Sequence, residues 1–135
     1  MNLWGRQSPT NIVAAFIRAA NDHDAAALAA VLSPDARYID SNGDAIRGRD
    51  AVIAALMRLH ELAPDFRFEI NDTSQRGDYV LLSGQAISQD ARLTKDTQWR
   101  ALVEHGQLVE WQSYSPTLAP SMARILAGSP MDSAA

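Results

Sequence analysis

The sequence predicts an α+β fold in which three N-terminal helices pack on one face of a curved, mostly antiparallel sheet. Apolar residues recur at helical spacing up to about residue 63. From residue 66 onward they alternate with polar residues or form short continuous runs, which is typical of strands. Short Gly and Asp turn signals separate these runs, so neighbouring strands are expected to pair as hairpins. Helices followed by a series of strands indicate an α+β domain.

The first two helices are marked by their capping residues. Ser8 and Pro9 have the pattern of an N-cap followed by proline at the first helical position, which predicts a helix over 9–21. Asp24 is suited to cap a second, short helix that ends before Ser33 and Pro34. The predicted apolar face of the first helix consists of Ile12, Val13, Phe16, Ile17 and Ala20.

A short strand and a third helix follow. Residues 36–40 have strand character, with Asp40 at the end, on the same side as Tyr38 because side chains two apart share a face. A polar loop leads from there to a helix that begins near Asp50 and ends at Pro64. The inward side chains of this helix are predicted to be Val52, Ile53, Leu56, Leu59 and Ala63.

The second half of the chain is predicted to form four strands. His105 and Gly106 are expected to make the turn between the last two. The predicted strands cover 66–71, 79–87, 94–104 and 108–114, with a turn at 75–78 and a polar loop from residue 88.

The chain is predicted to be one domain. Residues 1–8 form an N-terminal extension, 9–116 the domain, and 117–135 a tail with a short helix over 121–127. With 135 residues, 47% of them hydrophobic, the chain can build one core but not two.

Composition excludes several function classes. The chain has no cysteine, which rules out disulfides and thiolate chemistry and fits a reducing compartment. A net charge of −4 and the single lysine, Lys95, give no basic stripe for nucleic acid. The sequence has no run of about 18 apolar residues and no leader-like N-terminus. We therefore expect a cytoplasmic protein with neither a nucleic-acid nor a membrane partner.

Four segments resemble the SnoaL-like branch of the NTF2-like superfamily, which includes ketosteroid isomerases and polyketide cyclases. They are residues 16–24, 32–36, 47–52 and 106–111, and the resemblance spans about 9–115. It implies a cone-shaped fold whose open end is a pocket between the helices and the curved sheet. Because this fold carries enzymes and binding proteins alike, the resemblance predicts shape more strongly than chemistry.

The resemblance to ketosteroid isomerase assigns residues to a site. Asp40 matches the catalytic base of that enzyme, a general base with separate oxyanion donors. Its tyrosine donor position is occupied by Phe16, and its aspartic acid donor position by Trp99, or by Gln98 if the hairpin is counted differently. Steroid isomerisation itself is therefore not expected, because each lost oxyanion donor costs about 10²- to 10³-fold in rate.

We expect a small apolar or ring-containing molecule to bind in this pocket, with no cofactor and no metal. The predicted pocket wall consists of Phe16, Tyr38, Leu56, Trp99 and Trp111, with Asp40 as the catalytic residue.

Two interpretations of the pocket remain open. An enzyme would use Asp40 to abstract a proton next to a carbonyl, as a cofactor-free isomerase, cyclase or lyase. A non-catalytic module would bind a small apolar molecule or serve mainly in dimerisation, and Asp40 would then cap the turn that follows it. An open, largely apolar cavity with Asp40 at its floor would favour the enzyme. A cavity filled by the side chains of Phe16, Trp99 and Trp111 would favour a scaffold.

The segment Asp22, His23 and Asp24 is better suited to capping than to binding a metal, because adjacent turn residues converge poorly.

A homodimer is also expected. Glu110, Gln112 and Tyr114 alternate along the last strand and give it a semi-polar outer face. Faces of this kind commonly pair about a two-fold axis in the family that the chain resembles, as a closed isologous interface.

Overall fold

The structure is a computed structural model that describes residues 8–89, 94–114 and Leu126. Its elements are α1 Pro9–Asn21, α2 Ala25–Val31, β1 Leu32–Ile39, β2 Ala45–Arg47, α3 Arg49–Leu62, β3 Arg67–Arg76, β4 Tyr79–Ile87, β5 Lys95–Glu104 and β6 Gln107–Tyr114. The helix predicted over 121–127 lies outside the described residues except for Leu126, which is helical.

Within residues 8–89 and 94–114, three helices pack on a six-stranded sheet with the order β2-β1-β6-β5-β4-β3. Every neighbouring pair is antiparallel except β1 with β6, which is parallel. The α+β prediction, with helices first and a mostly antiparallel sheet after them, is confirmed. In the part of the chain that the structure describes, both edge strands, β2 and β3, pair on one side only, so the sheet is open.

The predicted helix caps are present. The Ser8 side chain accepts a hydrogen bond from the Asn11 N–H at 3.2 Å, and the Asp24 side chain accepts one from the Ala27 N–H at 3.0 Å. Each cap satisfies a backbone donor that would lack a helical partner. They therefore fix the residues at which α1 and α2 begin.

The first strand differs from its prediction. β1 starts at Leu32, directly after α2, and ends at Ile39, so that Asp40 lies in the loop rather than in the strand. The register between β1 and β6 shifts between Leu32 and Arg37, in the segment that contains Pro34, which cannot donate a backbone hydrogen bond to a neighbouring strand. The loop after Asp40 also contains β2, a strand that the polar sequence did not predict.

The core lies between the helices and the inner face of the sheet. Alternate residues of β4, β5 and β6 point inward, because side chains along a strand alternate between faces. The main inward side chains are Ile12, Val13, Phe16, Val52, Ala55, Leu59, Val80, Leu82, Trp99, Ala101 and Trp111. Among the described residues, no helix is long and apolar enough to cross a membrane.

Candidate functional site

A small cavity lies in the core between α1, α3 and the inner face of the sheet. Its lining is Phe16, Leu32, Arg37, Tyr38, Val52, Ala55, Leu56, Leu59, Phe66, Phe68, Trp99, Trp111 and Leu126. The volume of the cavity, measured as the space open to the centre of a sphere the size of a water molecule, is about 40 Å³. Pockets for drug-sized ligands are larger, about 300–1,000 Å³. The space is therefore small and its wall is almost wholly apolar.

Four of the aromatic rings that line the cavity, those of Phe16, Phe68, Trp99 and Trp111, pack directly against one another. Trp99 and Trp111 lie on neighbouring strands and stack with their centroids 5.8 Å apart and their planes 24° from parallel. Phe16 approaches Trp111 at 4.9 Å from the helix side. Phe68 meets both tryptophans edge-on, at 5.6 and 5.8 Å. These distances are those of favourable aromatic pairs, so the rings stabilise one another and occupy much of the space beneath α3.

Tyr38 brings a hydroxyl group to this apolar wall. It lies beside Trp111 in the parallel β1 and β6 pair. Burial raises the pKa of Tyr38 above its ordinary value, a hydrogen bond with the Ser113 side chain opposes this shift, and the charge of Asp40 adds to it. The phenol is therefore held neutral at ordinary pH and serves as a hydrogen-bonding group.

Asp40 is buried, with 1% of its surface exposed, yet it is not among the residues that line the cavity. Its Oδ1 atom accepts hydrogen bonds from the backbone N–H groups of Asn42 at 2.9 Å and Asp44 at 3.0 Å. Its backbone N–H donates to the Asp44 carbonyl, and its carbonyl accepts from the Gly43 N–H. The carboxylate thus closes the loop between β1 and β2, which is the capping role that an aspartate at a turn often has.

The structure thus brings Phe16, Tyr38, Leu56, Trp99 and Trp111 together at one cavity, and Asp40 is not part of its lining. Sequence reasoning did not select Phe68, although the alternation that predicted its strand puts it on the inner face. Leu126 was also missed. Its only signal was its place in the helix predicted for the tail.

Two histidines form a separate pair at the end of the helical layer. His23, in the α1–α2 turn, stacks on His60 of α3 with ring centroids 3.7 Å apart. The pKa of His23 is lowered by burial first and by the nearby His60 second, while Asp22 opposes the shift. Within residues 8–89, 94–114 and 126, no group of three histidine or carboxylate side chains is arranged to hold a metal ion.

The outer face of the sheet carries a charged network. Glu110 is 8% exposed and pairs with Arg37 at 3.0 Å and with Arg100 at 3.3 Å. The Arg100 guanidinium also lies over the Tyr79 ring, 4.9 Å from its centroid. Exposed Leu81 and Tyr114 lie on the same face. This face combines apolar side chains with paired charges, as many protein interfaces do.

Comparison with known proteins identifies one family and several structures of similar fold. A family model described as a SnoaL-like domain matches residues 13–111. No curated protein matches the chain.

Three solved structures illustrate the likeness. An NTF2-like protein of unknown function from Cytophaga hutchinsonii has 14% identity and a TM-score of 0.70, over 82% of this chain and 92% of that one. A protein from Jannaschia sp. CCS1 described as a SnoaL-like polyketide cyclase has 16% identity and a TM-score of 0.69, over 80% and 85%. An LEH-like epoxide hydrolase of M. tuberculosis has 23% identity and a TM-score of 0.69, over 79% and 77%. At these identities the likeness establishes the fold alone.

Proposed function

The chain belongs to the SnoaL-like domain family, and from that premise we propose that it binds a small apolar molecule in its aromatic cavity. The observation that carries this proposal is the cavity wall of Trp99, Trp111, Phe16 and Phe68. Apolar pockets with a few polar groups are the usual form of small-molecule sites. Among the described lining residues, Tyr38 and Arg37 alone have ionisable side chains, and the Arg37 guanidinium pairs with Glu110 on the outer face of the sheet.

The cavity wall favours binding over chemistry. By the resemblance to ketosteroid isomerase, Phe16 occupies the position of a hydroxyl donor, and a phenyl ring cannot stabilise an oxyanion. The Asp40 carboxylate accepts two backbone hydrogen bonds within its own loop. Burial of apolar ligand surface, at about 25 cal/mol per Å², therefore supplies the main driving force for binding.

The test is to fill the cavity from α3. Leu56 lines the cavity, whereas Leu62 on the same helix is 49% exposed. Binding of benzene, followed by ligand-detected NMR, should be lost in Leu56→Phe and retained in Leu62→Phe. Circular dichroism would establish that both variants fold. Absence of benzene binding by the wild-type protein, or its persistence in Leu56→Phe, would contradict the proposal.

A second candidate function is proton transfer by Asp40. One observation favours it: Asp40 is almost fully buried, and its charge helps to raise the pKa of Tyr38, which lines the cavity. The chemistry would be cofactor-free removal of a proton next to a carbonyl, as in an isomerase, cyclase or lyase. Such a base would act slowly without an oxyanion donor at Phe16.

Deuterium exchange at the carbon next to the carbonyl of cyclohexanone, in D₂O, tests this second candidate. The wild-type protein should accelerate the exchange, and Asp40→Asn should remove the acceleration while keeping a carbonyl oxygen for the loop N–H groups. Equal rates in the two proteins would exclude Asp40 as a base and leave the binding module as the function.

We further propose that the chain forms a homodimer through the outer face of the sheet. Leu81 and Tyr114 are 40% and 41% exposed there, and Glu110 with its arginines provides polar contacts around them. Leu81→Glu should dissociate the dimer in light scattering at micromolar concentration. Leu62→Glu, which changes a similarly exposed leucine on α3, should not. A monomeric wild-type protein would refute this proposal.

The proposed setting is the cytoplasm, with no nucleic acid as partner. The absence of cysteine fits a reducing compartment, and the net charge of −4 gives no attraction to phosphate backbones. Fractionation of cells that express a tagged protein would test the location.

A further inference from the structure

A surface groove, separate from the aromatic cavity, lies between α1 and the edge strand β3. Its volume, on the same measure as that of the cavity, is about 440 Å³. This lies within the range of about 300–1,000 Å³ that is usual for small-molecule pockets. No described residue lines both spaces, so the groove is a distinct candidate site.

Side-chain hydrogen bonds join α1 to β3 at both ends of the helix. Near the end of α1, the Asn21 side chain forms two hydrogen bonds with the Phe68 backbone, at 2.8 and 3.0 Å. Near its start, the Thr10 hydroxyl donates to the side-chain oxygen of Gln75 at 3.0 Å. Both Thr10 and Asn21 line the groove. The groove is therefore bounded along the helix, and it suits a small molecule better than a long chain.

The floor of the groove is apolar and elongated. Val13 and Ile17 line it from α1 and lie about one turn apart, so the floor extends along the helix axis. From the sheet it is lined by Ile70 of β3 and Leu82 of β4. Ile17 and Ile70 are partly exposed to water. A linear hydrocarbon chain that covers them would be stabilised by the hydrophobic effect.

Two arginines give the lining a positive charge. Arg18 is exposed, and its guanidinium forms no hydrogen bond or ion pair with any residue that the structure describes. Arg67 pairs with Glu69 at 3.7 Å, but both side chains are about half exposed, and such pairs are weak. Asp22 is the single acidic residue in the described lining. The lining is thus net positive in a chain whose net charge is −4.

A backbone donor lies at the same end as these arginines. Arg18 is one turn before Asn21, and Arg67 directly precedes Phe68. The Phe68 N–H and carbonyl point away from β4, because they bind Asn21. Such groups alternate along an antiparallel strand, so the Ile70 N–H points the same way. Within the described residues no further strand pairs with this edge, which leaves the Ile70 N–H available to an anion.

We propose that the groove between α1 and β3 is a second ligand site, and that it binds a linear aliphatic carboxylate. The carboxylate lies at Arg18 and Arg67, and the alkyl chain covers the apolar floor. A guanidinium presents two N–H groups that match the two oxygens of a carboxylate, which favours this head group over an alcohol or an amine. The inference does not depend on the function proposed for the aromatic cavity, because the two sites share no described residue.

Octanoate is the probe, and methyl NMR of the full chain locates it. Addition of octanoate to the wild-type protein should shift the methyl signals of Ile17 and Ile70 to saturation. The signals of Leu56 and Leu59, which line the aromatic cavity, should not move. Octanol and octylammonium have the same alkyl chain without the negative charge, and they should bind about fivefold more weakly or less.

Two substitutions with matched controls test the two parts of the site. Arg18→Gln should weaken octanoate about fivefold or more and leave octanol unchanged, whereas Arg58→Gln, at an exposed arginine of α3, should change neither. Ala14→Trp should fill the groove and abolish binding of octanoate. Ala54→Trp, at an exposed alanine of α3, should not. All four positions are exposed, and circular dichroism would establish that the variants fold.

The outcomes separate this site from the aromatic cavity. Equal affinity for octanoate and octanol, or undiminished octanoate affinity in Arg18→Gln, would overturn the carboxylate assignment. Octanoate shifts at Leu56 and Leu59 instead of Ile17 and Ile70 would overturn the groove as the site. A wild-type protein that shows no saturable shift at Ile17 and Ile70 would also overturn it, while benzene binding in the cavity would be unaffected by that result.

Discussion

Replacing Asp40 by alanine should destabilise the protein by more than a surface substitution does, because its carboxylate holds the loop between β1 and β2. The Oδ1 atom accepts hydrogen bonds from the backbone N–H groups of Asn42 and Asp44, and both bonds are partly buried. With alanine, these donors lose their acceptor and the space beside them is left apolar. A buried donor without a partner is costly, since its lost hydration is not replaced.

The magnitude follows from the number and type of these bonds. A hydrogen bond to a charged group contributes about 1.5–3 kcal/mol. The two bonds here share one oxygen and the loop can partly rehydrate, so we expect Asp40→Ala to lower the free energy of unfolding by about 2–4 kcal/mol. That is a large fraction of the roughly 5–15 kcal/mol by which a typical domain is stable.

Urea unfolding at pH 7 measures this change, with Asp24→Ala as the control. The Asp24 side chain also accepts a backbone hydrogen bond, from the Ala27 N–H at 3.0 Å, but its site is exposed. Loss of such a cap costs about 1 kcal/mol. A loss of stability in Asp40→Ala no larger than that in Asp24→Ala would contradict this prediction, because the partly buried loop bonds would then contribute no more than an exposed cap.

Three further predictions concern the helices and the sheet. A Cβ at Gly84 would lie 1.9 Å from a carbonyl oxygen of β3, so Gly84→Ala should lower the free energy of unfolding, measured in urea, by about 3 kcal/mol or more. A loss below about 1 kcal/mol would contradict this close approach of the two strands. Burial and the neighbouring His60 lower the pKa of His23 from 6.5. Below pH 6.5 the unfolded chain therefore binds more protons than the folded protein, so the contribution of His23 to stability, complete above pH 6.5, should be lost as the pH drops through the lowered pKa. Thermal unfolding should show this fall weakened in His23→Asn, and identical pH profiles would count against it. The Asn21 side chain forms two hydrogen bonds with the β3 backbone, at 2.8 and 3.0 Å. Asn21→Ala should lower the free energy of unfolding by about 1–3 kcal/mol and speed the hydrogen exchange of β3 amides, and unchanged exchange in β3 would contradict this.

Local patterns were sufficient to predict the helices and the hairpins. The α1 and α2 caps follow from Ser8 and Asp24, and the β5–β6 turn follows from His105 and Gly106, whose φ values of 54° and 75° suit a tight hairpin. The parallel pairing of β1 with β6 joins residues more than 70 positions apart, so no local signal reports it. Strand β2 was missed because its three residues lie within a polar stretch and form a strand only by pairing with β1.

The site was predictable where it depends on strand alternation and unpredictable where it depends on packing. Trp99 and Trp111 share the inner face because each occupies an inward position of its strand. The same rule put Asp40 beside Tyr38, but β1 ends at Ile39 and the chain turns, so the carboxylate faces its own loop. Cavity volume has no sequence signal of its own, because it is what remains after all the side chains have packed.

The loop role of Asp40 and its proposed role as a base predict different behaviour for one substitution. The amide side chain introduced by Asp40→Asn keeps a carbonyl oxygen for the two backbone N–H groups, so this variant should retain much of the stability that Asp40→Ala loses. A neutral amide cannot take a proton from a ketone, so the same variant should lose any exchange activity. If Asp40→Asn retains stability, benzene binding and the wild-type rate of cyclohexanone exchange, the carboxylate is structural and the aromatic cavity alone carries the function. Loss of exchange with stability and binding retained would instead make Asp40 a catalytic residue, and the loop hydrogen bonds would then orient the base.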